Sequence, residues 1–296
     1  MKNTKRKSKL PITIAILILI LISLLLLIYF KNQNSNTNND KISNVNNEET
    51  TLPSTDTLQN NIPVDRFEGL TLTNENIGIP VLYYHSVDPS EANEVIISPD
   101  KLKEQLTYIK DSGYTTLTMT EVYDYILNNK PIPEKSILIT FDDGYMDNYV
   151  NAFPILKELD MKATIFVIAN GIDDGYYMSS EQLKEISDYG IDIESHTFSH
   201  GHLDTMSYEE QLQELKSSKE IIEGITGKTV LSVAYPFGDY NEDSIRASRD
   251  AGYALSFTTN RGLADRDDNP LSLDRIYVSS YYTMDEFKER LKNTQK

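Results

Sequence analysis

Hydrophobic and polar positions divide the chain into three parts. Residues 11–30 form a nearly uninterrupted apolar run, long enough as a helix to cross a bilayer, and basic residues precede it. Residues 31–78 are rich in Asn, Thr and Ser without sustained periodicity, which predicts a disordered linker. From residue 79 onward, short apolar runs typical of strands alternate with segments of helical periodicity. This pattern predicts a transmembrane anchor, a linker and a folded domain over residues 79–296.

The apolar run at residues 11–30 has a cleaved signal peptide as its alternative interpretation. The run is longer than the apolar region of a typical signal peptide, and no small-x-small cleavage site follows it. It has no polar face, which disfavours a buried core helix. We therefore predict an uncleaved single-pass anchor, with the basic residues 1–10 in the cytoplasm and the C-terminal domain outside the cell. Secretion after cleavage is the alternative.

Alternating strand and helix signals over residues 79–296 predict a parallel α/β domain. We expect strands at residues 79–84, 115–118, 136–141, 163–168, 191–195, 230–235, 253–258 and 275–279. Ser98 followed by Pro99, and the capping-box patterns that begin at Ser207 and Thr283, indicate helix starts between them. Several of these strands each end in a polar residue of catalytic type, which favours a closed barrel over an open sheet.

Composition and charge exclude some classes of function. The chain has 28 Lys and Arg against 45 Asp and Glu, a formal net charge of −17. Nucleic acid would be repelled by such a chain, so a nucleic-acid partner is not expected. The chain has no cysteine, which excludes disulfides and thiolate metal ligands.

Two polar motifs follow predicted strands and carry candidate chemistry. The strand at 136–141 runs into Asp142 and Asp143, and the strand at 191–195 is followed by His196 and His200. Two adjacent carboxylates repel each other, so a cation beside them is expected. One Asp with two His is a ligand set for a divalent metal that leaves positions open for water and substrate. We expect zinc, with cobalt, nickel or manganese as alternatives.

These motifs also carry a family resemblance. Residues 140–144 (Thr-Phe-Asp-Asp-Gly) and residues 196–200 (His-Thr-Phe-Ser-His) resemble the first two motifs of the NodB-type polysaccharide deacetylases, carbohydrate esterase family four. The resemblance extends over roughly residues 79–296. It implies a distorted (β/α) barrel of about seven strands that hydrolyses the N-acetyl groups of a polysaccharide.

The resemblance assigns roles to four of the residues. It implies that Asp142 is the catalytic base and that Asp143, His196 and His200 bind the metal. This division agrees with the chemistry, because the metal polarises a bound water while a carboxylate outside its coordination shell removes the water proton. The plainer interpretations are an Asp-Asp-Gly turn and a pair of surface histidines. His202 lies outside the motif and is not expected to be a ligand.

His85 marks a departure from the larger branch of this family. Members of that branch have a Leu-x-His motif near the C-terminus, whose His is the general acid, but this chain has no histidine after His202. Residues 82–85 (Leu-Tyr-Tyr-His) supply the pattern at the other end of the domain. This resembles the poly-N-acetylglucosamine deacetylase branch, whose motifs are circularly permuted around the barrel. We expect His85 to protonate the leaving amine, with a structural histidine as the alternative.

A third motif is altered in this chain. Residues 234–238 (Ala-Tyr-Pro-Phe-Gly) stand where the family has Arg-x-Pro-Tyr, so the arginine that would hold the base is absent. Arg275 is a candidate replacement from another strand, and a surface ion pair is an equal alternative. By resemblance, the backbone N–H of Phe237 helps to hold the oxyanion. Tyr235 and Phe237 are candidates for a sugar-stacking wall or for the core.

Together these features predict a membrane-anchored, metal-dependent N-deacetylase of an extracellular N-acetylated polysaccharide. Motif order favours poly-N-acetylglucosamine as the substrate. Peptidoglycan is the second candidate, because a tethered enzyme meets the wall first, and acetylated xylan is the third. A non-catalytic carbohydrate-binding module on the same fold is disfavoured because the base and all ligands are present. A metallo-hydrolase of small amides is a further alternative.

Overall fold

The computed structural model describes residues 66–294. The predicted anchor at residues 11–30 and the predicted linker up to residue 65 lie outside this range. Between residues 66 and 294, no helix combines the length and the apolar character that a membrane span requires.

Helices and strands alternate along the described chain. The α-helices are α1 (Pro99–Asp111), α2 (Met119–Asn128), α3 (Phe153–Leu159), α4 (Ser180–Tyr189), α5 (Tyr208–Thr226), α6 (Glu242–Asp250) and α7 (Met284–Asn293). The strands are β1 (Leu72–Thr73), β2 (Val81–Tyr84), β3 (Ser86–Val87), β4 (Ile96–Ile97), β5 (Thr115–Thr116), β6 (Ile132–Pro133), β7 (Ser136–Phe141), β8 (Thr164–Val167), β9 (Asp192–Ser195), β10 (Ser232–Ala234), β11 (Leu255–Arg261) and β12 (Leu273–Tyr277). A π-helix spans Asn148–Ala152, and 3₁₀ turns occur at Ala169–Gly171, Leu203–Thr205 and Pro236–Gly238.

Seven parallel strands close into a barrel in the order β2, β7, β8, β9, β10, β11 and β12, with β12 pairing again with β2. This confirms the predicted parallel α/β barrel of about seven strands. The predicted strand at 115–118 is β5, which lies outside the ring. It pairs with Ser136 and Ile137 at the start of β7, and β2 takes over the pairing from Leu138 onward.

The register of the barrel brings several strand ends to one rim. Tyr84 at the end of β2 lies opposite Phe141 at the end of β7. Ser195 at the end of β9 lies opposite Val167 of β8 and Val233 of β10. The residues that follow these strands therefore leave the barrel together, at the edge where parallel α/β barrels hold their active sites.

The helices surround the barrel because each has one apolar face and a defined start. The Ser98 hydroxyl accepts the Lys101 N–H at the start of α1, and the buried residues of that helix recur at helical spacing. The predicted capping boxes at Ser207 and Thr283 begin α5 and α7. Inside the ring, Leu138, Phe166, Phe257 and Leu273 belong to one buried cluster. Full burial of such side chains contributes about 1.5–3 kcal/mol each.

Residues 66–78 lie against the domain, although the sequence pattern assigned them to the linker. β1 pairs with β6 in antiparallel fashion. Arg66 forms an ion pair with Glu121 at 2.5 Å, and the Ile77 N–H donates to the Tyr125 hydroxyl at 3.0 Å. The folded part of the chain therefore includes residues 66–78, ahead of the predicted boundary at 79. These contacts use backbone groups and single side chains, which leave no hydrophobic periodicity to detect.

Candidate metal centre and active site

Asp143, His196 and His200 meet at the C-terminal rim of the barrel. Asp143 lies two residues beyond the end of β7, and both histidines lie in the loop that follows β9. One ligand atom from each of the three lies within 4.8 Å of the others. Nε2 of His200 is 3.2 Å from Oδ1 of Asp143, and Nε2 of His196 is 3.4 Å from the same oxygen. The sequence motifs therefore converge in space as expected.

The donor set fits a divalent metal ion. Nδ1 of His196 donates to the Ala234 carbonyl at 2.8 Å, which leaves the lone pair on Nε2 for a metal. Oδ1 of Asp143 is buried and has no hydrogen-bond partner within residues 66–294. An orphaned buried polar atom costs about 1–3 kcal/mol, a penalty that a coordinated cation removes. Asp143, His196 and His200 thus form a metal-binding triad.

The protonation of Asp143 also suits a metal ligand. Burial opposes ionisation of its carboxyl group. The close approach of the His196 and His200 rings to the carboxylate, followed by histidine charge, outweighs burial and holds the pKa of Asp143 well below its usual range. The carboxylate is therefore ionised at neutral pH, as metal coordination requires.

Backbone strain is concentrated at this site. Left-handed φ angles occur at Asp143 (75°), Thr197 (67°), His200 (59°) and Phe237 (60°). They make up half of the eight non-glycine residues with positive φ in the described chain. Each costs of order 1 kcal/mol and persists only where the surroundings enforce it. Gly144 extends the strained turn with φ of 76°, and a Cβ there would approach Val167 Cγ1 to 2.7 Å, so only glycine fits.

Asp142 is held by Arg275 inside the barrel. Nη1 and Nη2 of Arg275 each donate to one carboxylate oxygen of Asp142 at 2.8 Å. Arg275 is 0% and Asp142 2% exposed, so the surface ion-pair alternative for Arg275 is wrong. The Arg275 Nε donates to the Thr258 carbonyl, and the guanidinium lies 4.2 Å from the ring centroid of Tyr83. An arginine from β12 therefore contacts the candidate base.

This pairing determines the charge of Asp142. Burial opposes ionisation, but the guanidinium of Arg275 and then the charge of His196 outweigh it and hold the pKa of Asp142 below its usual range. Asp142 is therefore an ionised carboxylate, fixed in orientation by two hydrogen bonds, next to a metal ligand in sequence.

His85 lies next to Asp142 because β2 and β7 are paired. The Asp142 N–H donates to the Tyr84 carbonyl at 2.8 Å, immediately before His85. The His85 ring is mostly buried, and its Nδ1 has no hydrogen-bond partner in the part of the chain described. Burial lowers the pKa of His85, against the opposing charges of Asp142 and Asp143. The structure thus brings the predicted base and the predicted acid to one place.

Tyr235 and Phe237 differ in their surroundings. Tyr235 is fully buried, and its hydroxyl donates to the Leu271 carbonyl at 3.0 Å and bonds to the Ser248 hydroxyl at 3.1 Å. Tyr235 therefore belongs to the core, and the substrate-binding role expected for it is corrected. Phe237 is 54% exposed, and its ring centroid lies 4.5 Å from that of His200.

His202 lies beside Phe237 rather than in the metal-binding triad. Its ring stacks on that of Phe237 with centroids 4.2 Å apart, and its Nδ1 is 2.6 Å from Oδ2 of Asp239. The metal-binding cluster found among the described residues does not include it.

A cluster of three tyrosines borders the site and was missed by sequence reasoning. Tyr145 follows Asp143 closely, and its ring lies 5.4 Å from that of Tyr176 and 5.5 Å from that of Tyr177. Burial, followed by the charge of Asp143, raises the pKa of Tyr145. Tyr176 is 65% exposed. The only sequence signal was a Tyr directly after the Asp-Asp-Gly turn and a Tyr-Tyr pair in a glycine-containing loop.

The tyrosine cluster is held by the backbone of its loop. Oδ1 of Asp174 accepts the N–H groups of Tyr176 and Tyr177, at 2.8 and 3.0 Å. The Met146 N–H donates to the Tyr176 carbonyl at 3.0 Å, which ties this loop to the segment after the metal ligand. The rings are therefore presented from a fixed position at the rim.

A closed parallel barrel with an Asp-His-His ligand set and a buried carboxylate at the carboxyl ends of its strands defines a metal-dependent α/β-barrel hydrolase. The family model described as polysaccharide deacetylase matches residues 129–256. The protein YxkH of Bacillus subtilis (strain 168), whose name places it among the polysaccharide deacetylases, is 38% identical over 201 residues, covering 68% of this chain and 71% of that protein. The chain belongs to the polysaccharide deacetylase family, as the sequence motifs indicated.

Two solved structures and a further relative are also similar to this chain. The deacetylase PplD of Streptococcus pyogenes, solved in complex with acetate, has a TM-score of 0.69 and 33% identity, covering 75% of this chain and 100% of that one. IcaB from Ammonifex degensii has a TM-score of 0.64 and 27% identity, covering 73% and 95%. The poly-beta-1,6-N-acetyl-D-glucosamine N-deacetylase of Staphylococcus epidermidis (strain ATCC 35984 / DSM 28319 / BCRC 17069 / CCUG 31568 / BM 3577 / RP62A) is 29% identical over 204 residues, covering 64% of this chain and 70% of that protein.

Proposed function

We propose that this polysaccharide deacetylase removes N-acetyl groups from an extracellular poly-N-acetylglucosamine polymer and releases acetate. The observation that carries the proposal is the position of His85, which reaches the site from β2 while no histidine follows His202. This is the motif order expected for the poly-N-acetylglucosamine branch. Similarity to the Staphylococcus epidermidis enzyme named for that polymer supports the same substrate.

The side chains have complementary roles in this reaction. Asp143, His196 and His200 would hold a divalent ion, which would supply Lewis-acid activation of water and of the acetyl carbonyl. Asp142 accepts the proton that the attacking water loses, and Arg275 keeps its carboxylate ionised and oriented.

Proton delivery to the leaving group completes the mechanism. The C–N bond breaks as His85 gives a proton to the departing nitrogen, so that the products are acetate and a free amine. The lowered pKa of His85 makes its imidazolium a stronger acid for this step. The backbone N–H of Phe237 is the proposed donor to the oxyanion.

Aromatic surface beside the metal centre supports a saccharide substrate. The tyrosine cluster extends from Tyr145, near Asp143, to the exposed ring of Tyr176. The exposed ring of Phe237 contacts the ring of His200. Flat aromatic rings of this kind offer large contact area to the apolar faces of pyranose rings. Two aromatic surfaces that touch two different metal ligands suit a polymer that runs across the site.

The proposal also includes the identity of the metal and the location of the enzyme. We propose zinc as the bound ion, because the Asp-His-His set with open positions suits it. The apolar run at residues 11–30 would anchor the chain in the membrane and leave the catalytic domain outside the cell.

The test is acetate release by the purified protein from poly-N-acetylglucosamine oligomers and from peptidoglycan fragments, each with added zinc or with chelator. We expect chelator-sensitive release from the first substrate. Release from peptidoglycan alone would change the substrate to the second candidate. No release from either, with metal bound, would overturn the proposed substrate. Asp142→Asn is the matched inactive control, since it removes the base and leaves the triad in place.

A further inference from the structure

Side chains from residues 147–151 form hydrogen bonds with the chain segment that carries His85. Nδ2 of Asn148 donates to the His85 carbonyl at 2.8 Å. The same Nδ2 lies 3.0 Å from Oδ1 of Asp147, and Asn148 is fully buried. The position of the backbone at His85 is therefore set by a buried carboxamide rather than by solvent.

Two further side chains hold the residues that follow His85. The carboxylate of Asp147 accepts the Val87 N–H at 2.9 Å and the Ser86 hydroxyl at 2.5 Å. Nδ2 of Asn151 donates to the Val87 carbonyl at 2.7 Å. We use the term acid clamp for the three residues Asp147, Asn148 and Asn151.

The acid clamp is built by an unusual helix. Residues Asn148–Ala152 form a π-helix, in which the Phe153 N–H bonds to the Asn148 carbonyl. Such turns are rare in proteins and occur frequently at functional sites. This one begins six residues after Asp142, so the candidate base, a metal ligand and the acid clamp share one short stretch of chain.

The His85 ring lies edge-on to the rings of Tyr83 and Tyr277, with centroids 5.9 and 6.5 Å apart, and these are non-polar ring contacts rather than hydrogen bonds. Its Nδ1 has no hydrogen-bond partner among residues 66–294, so no carboxylate or carbonyl fixes the imidazole through this nitrogen. Apart from these ring contacts, the placement of the imidazole depends on the backbone that carries it. Three hydrogen bonds from the acid clamp hold that backbone at His85 and Val87, and a fourth holds the side-chain hydroxyl of Ser86 between them. Proton delivery requires placement within hydrogen-bond reach of the departing nitrogen.

We propose that Asn148, supported by Asp147 and Asn151, is a positioning residue that holds His85 in place for proton delivery to the leaving amine. This inference rests on the proposed role of His85 as the general acid. Asn148 acts through the His85 backbone, so its loss should affect the protonation step more than substrate binding or water attack. Reactions that need no proton on the leaving group should be spared.

The test compares an amide and an activated ester. An N-acetylglucosamine oligomer loses a basic amine that must be protonated, whereas 4-nitrophenyl acetate loses a phenolate that needs no proton. We expect Asn148→Ala to lower kcat on the oligomer by about 30-fold to 100-fold. KM should change by less than about 2-fold and the rate on the ester by less than about 3-fold, because acid catalysis is the affected step. If the wild-type rate on the ester is too low, 4-nitroacetanilide replaces it as the weakly basic leaving group.

Asn76→Ala is the matched control. Oδ1 of Asn76 accepts the Arg266 N–H and the Tyr125 hydroxyl, so this residue also joins separate segments, but it precedes β2 rather than following it. This variant should lower the free energy of unfolding, but it should not lower the rate on the oligomer more than the rate on the ester. Amide hydrogen exchange at residues 85–87 is a readout besides activity, and it should accelerate in Asn148→Ala but not in Asn76→Ala.

The outcomes separate this inference from the proposed function. If His85→Ala shows no preference between the two leaving groups, the acid role of His85 is wrong. If His85→Ala is selective but Asn148→Ala lowers both rates equally or neither, the positioning role alone is overturned. Selective loss in both variants, with faster exchange at residues 85–87, supports the acid clamp.

Discussion

At the scale of single residues, the guanidinium of Arg275 is fully buried and makes two 2.8 Å hydrogen bonds to the Asp142 carboxylate. We expect Arg275→Met to cost about 3–5 kcal/mol of unfolding free energy, because it leaves a buried carboxylate without its partner. The pKa of Asp142 should rise and acetate release should fall by at least about 100-fold, the lower end of what a general base contributes. Urea denaturation and acetate release measure the two effects.

The double variant Asp142→Leu/Arg275→Met separates stability from chemistry. It removes both charges and should recover much of the lost unfolding free energy, since no buried charge remains unpaired. Activity should stay absent because the base is gone. A single Arg275→Met variant with unchanged stability would contradict the interpretation of this pair.

The metal-binding triad makes a prediction about thermal stability. If zinc is the bound ion, as proposed, zinc at about 100 times its Kd should add roughly 2.7 kcal/mol to the unfolding free energy, since a ligand that binds only the folded state stabilises it. Asp143→Asn should abolish most of this gain in Tm. His202→Ala should retain it, because His202 lies outside the triad. An equal zinc-dependent Tm shift in all three proteins would place the ion elsewhere.

The exposed ring of Tyr176 makes a prediction about substrate length. It is the outermost member of the tyrosine cluster beside Asp143. We expect Tyr176→Ala to lower kcat/KM by about 5-fold to 10-fold on long oligomers, as the loss of roughly 1–1.5 kcal/mol of aromatic contact implies. The disaccharide should be unaffected. Tyr189, a partly exposed residue of α4, provides the control variant Tyr189→Ala. If Tyr176→Ala lowers kcat/KM equally at every oligomer length, Tyr176 does not contact the outer sugar units of a long substrate.

The residues with metal or proton chemistry were the most predictable part of the site. Asp143, His196 and His200 are short motifs, and their position after strands already indicates a shared rim. The contact between Asp142 and Arg275 was only one of two equal interpretations, because it depends on how β12 closes the ring. Tyr235 was a candidate for a sugar-stacking wall or for the core, and only its burial decided, because an aromatic side chain next to a motif gives no sign of the direction in which it points.

At the scale of elements, the start of α2 is joined to the start of β9. Oδ2 of Asp192 accepts the Met119 N–H at 2.7 Å. Burial raises the pKa of Asp192, the bond from Met119 opposes this shift, and among the charged side chains Lys228 and Lys162 lower the pKa whereas Glu121 raises it. The charged form of Asp192 is therefore less favourable in the folded state than in the unfolded chain.

This shift makes stability depend on pH. The stability from protonated Asp192 is fully present below its unfolded pKa of about 3.9 and is lost as pH rises through its higher folded pKa. Asp192→Asn keeps an acceptor for Met119 and does not titrate. The stability of the variant relative to wild type should therefore increase across this window, by about 1.4 kcal/mol per unit of pKa shift. Urea denaturation of both proteins at several values between about pH 3.5 and about pH 7, a range that covers carboxyl titration, measures this difference in stability. If the unfolding free energies of wild type and Asp192→Asn change with pH in parallel, the prediction for Asp192 is wrong.

Element positions followed from the sequence more closely than element partners did. The predicted strand 136–141 coincides with β7, and the predicted helix starts at Ser98, Ser207 and Thr283 are observed, because caps and apolar runs are local signals. The position of β5 outside the ring and the π-helix at Asn148–Ala152 were not predictable in this way. Both depend on contacts with elements distant in the chain.

At the scale of the whole molecule, residues 66–78 are part of the stable domain. Their contacts include β1 with β6 and Arg66 with Glu121, and Arg266 also donates to the Asn74 carbonyl. A chain beginning at residue 79 should lose about 2–4 kcal/mol, as the sum of such hydrogen bonds and a partly exposed ion pair implies. Its Tm should fall by roughly 5–10 °C relative to a chain beginning at residue 66. Equal Tm values for the two chains would show that residues 66–78 do not contribute to the stability of the domain and belong to the linker.

Closure of the ring has a consequence for when the protein becomes an enzyme. The pairing of β12 with β2 joins parts of the chain that are almost two hundred residues apart, and it brings Arg275 alongside the strands that lead to His85 and Asp142. No fragment that lacks either end of the domain contains both His85, the proposed acid, and Arg275, the partner of the proposed base. We therefore expect a partly folded chain, in which β12 has not yet paired with β2, to have no deacetylase activity. During refolding, activity should appear only when the barrel has closed.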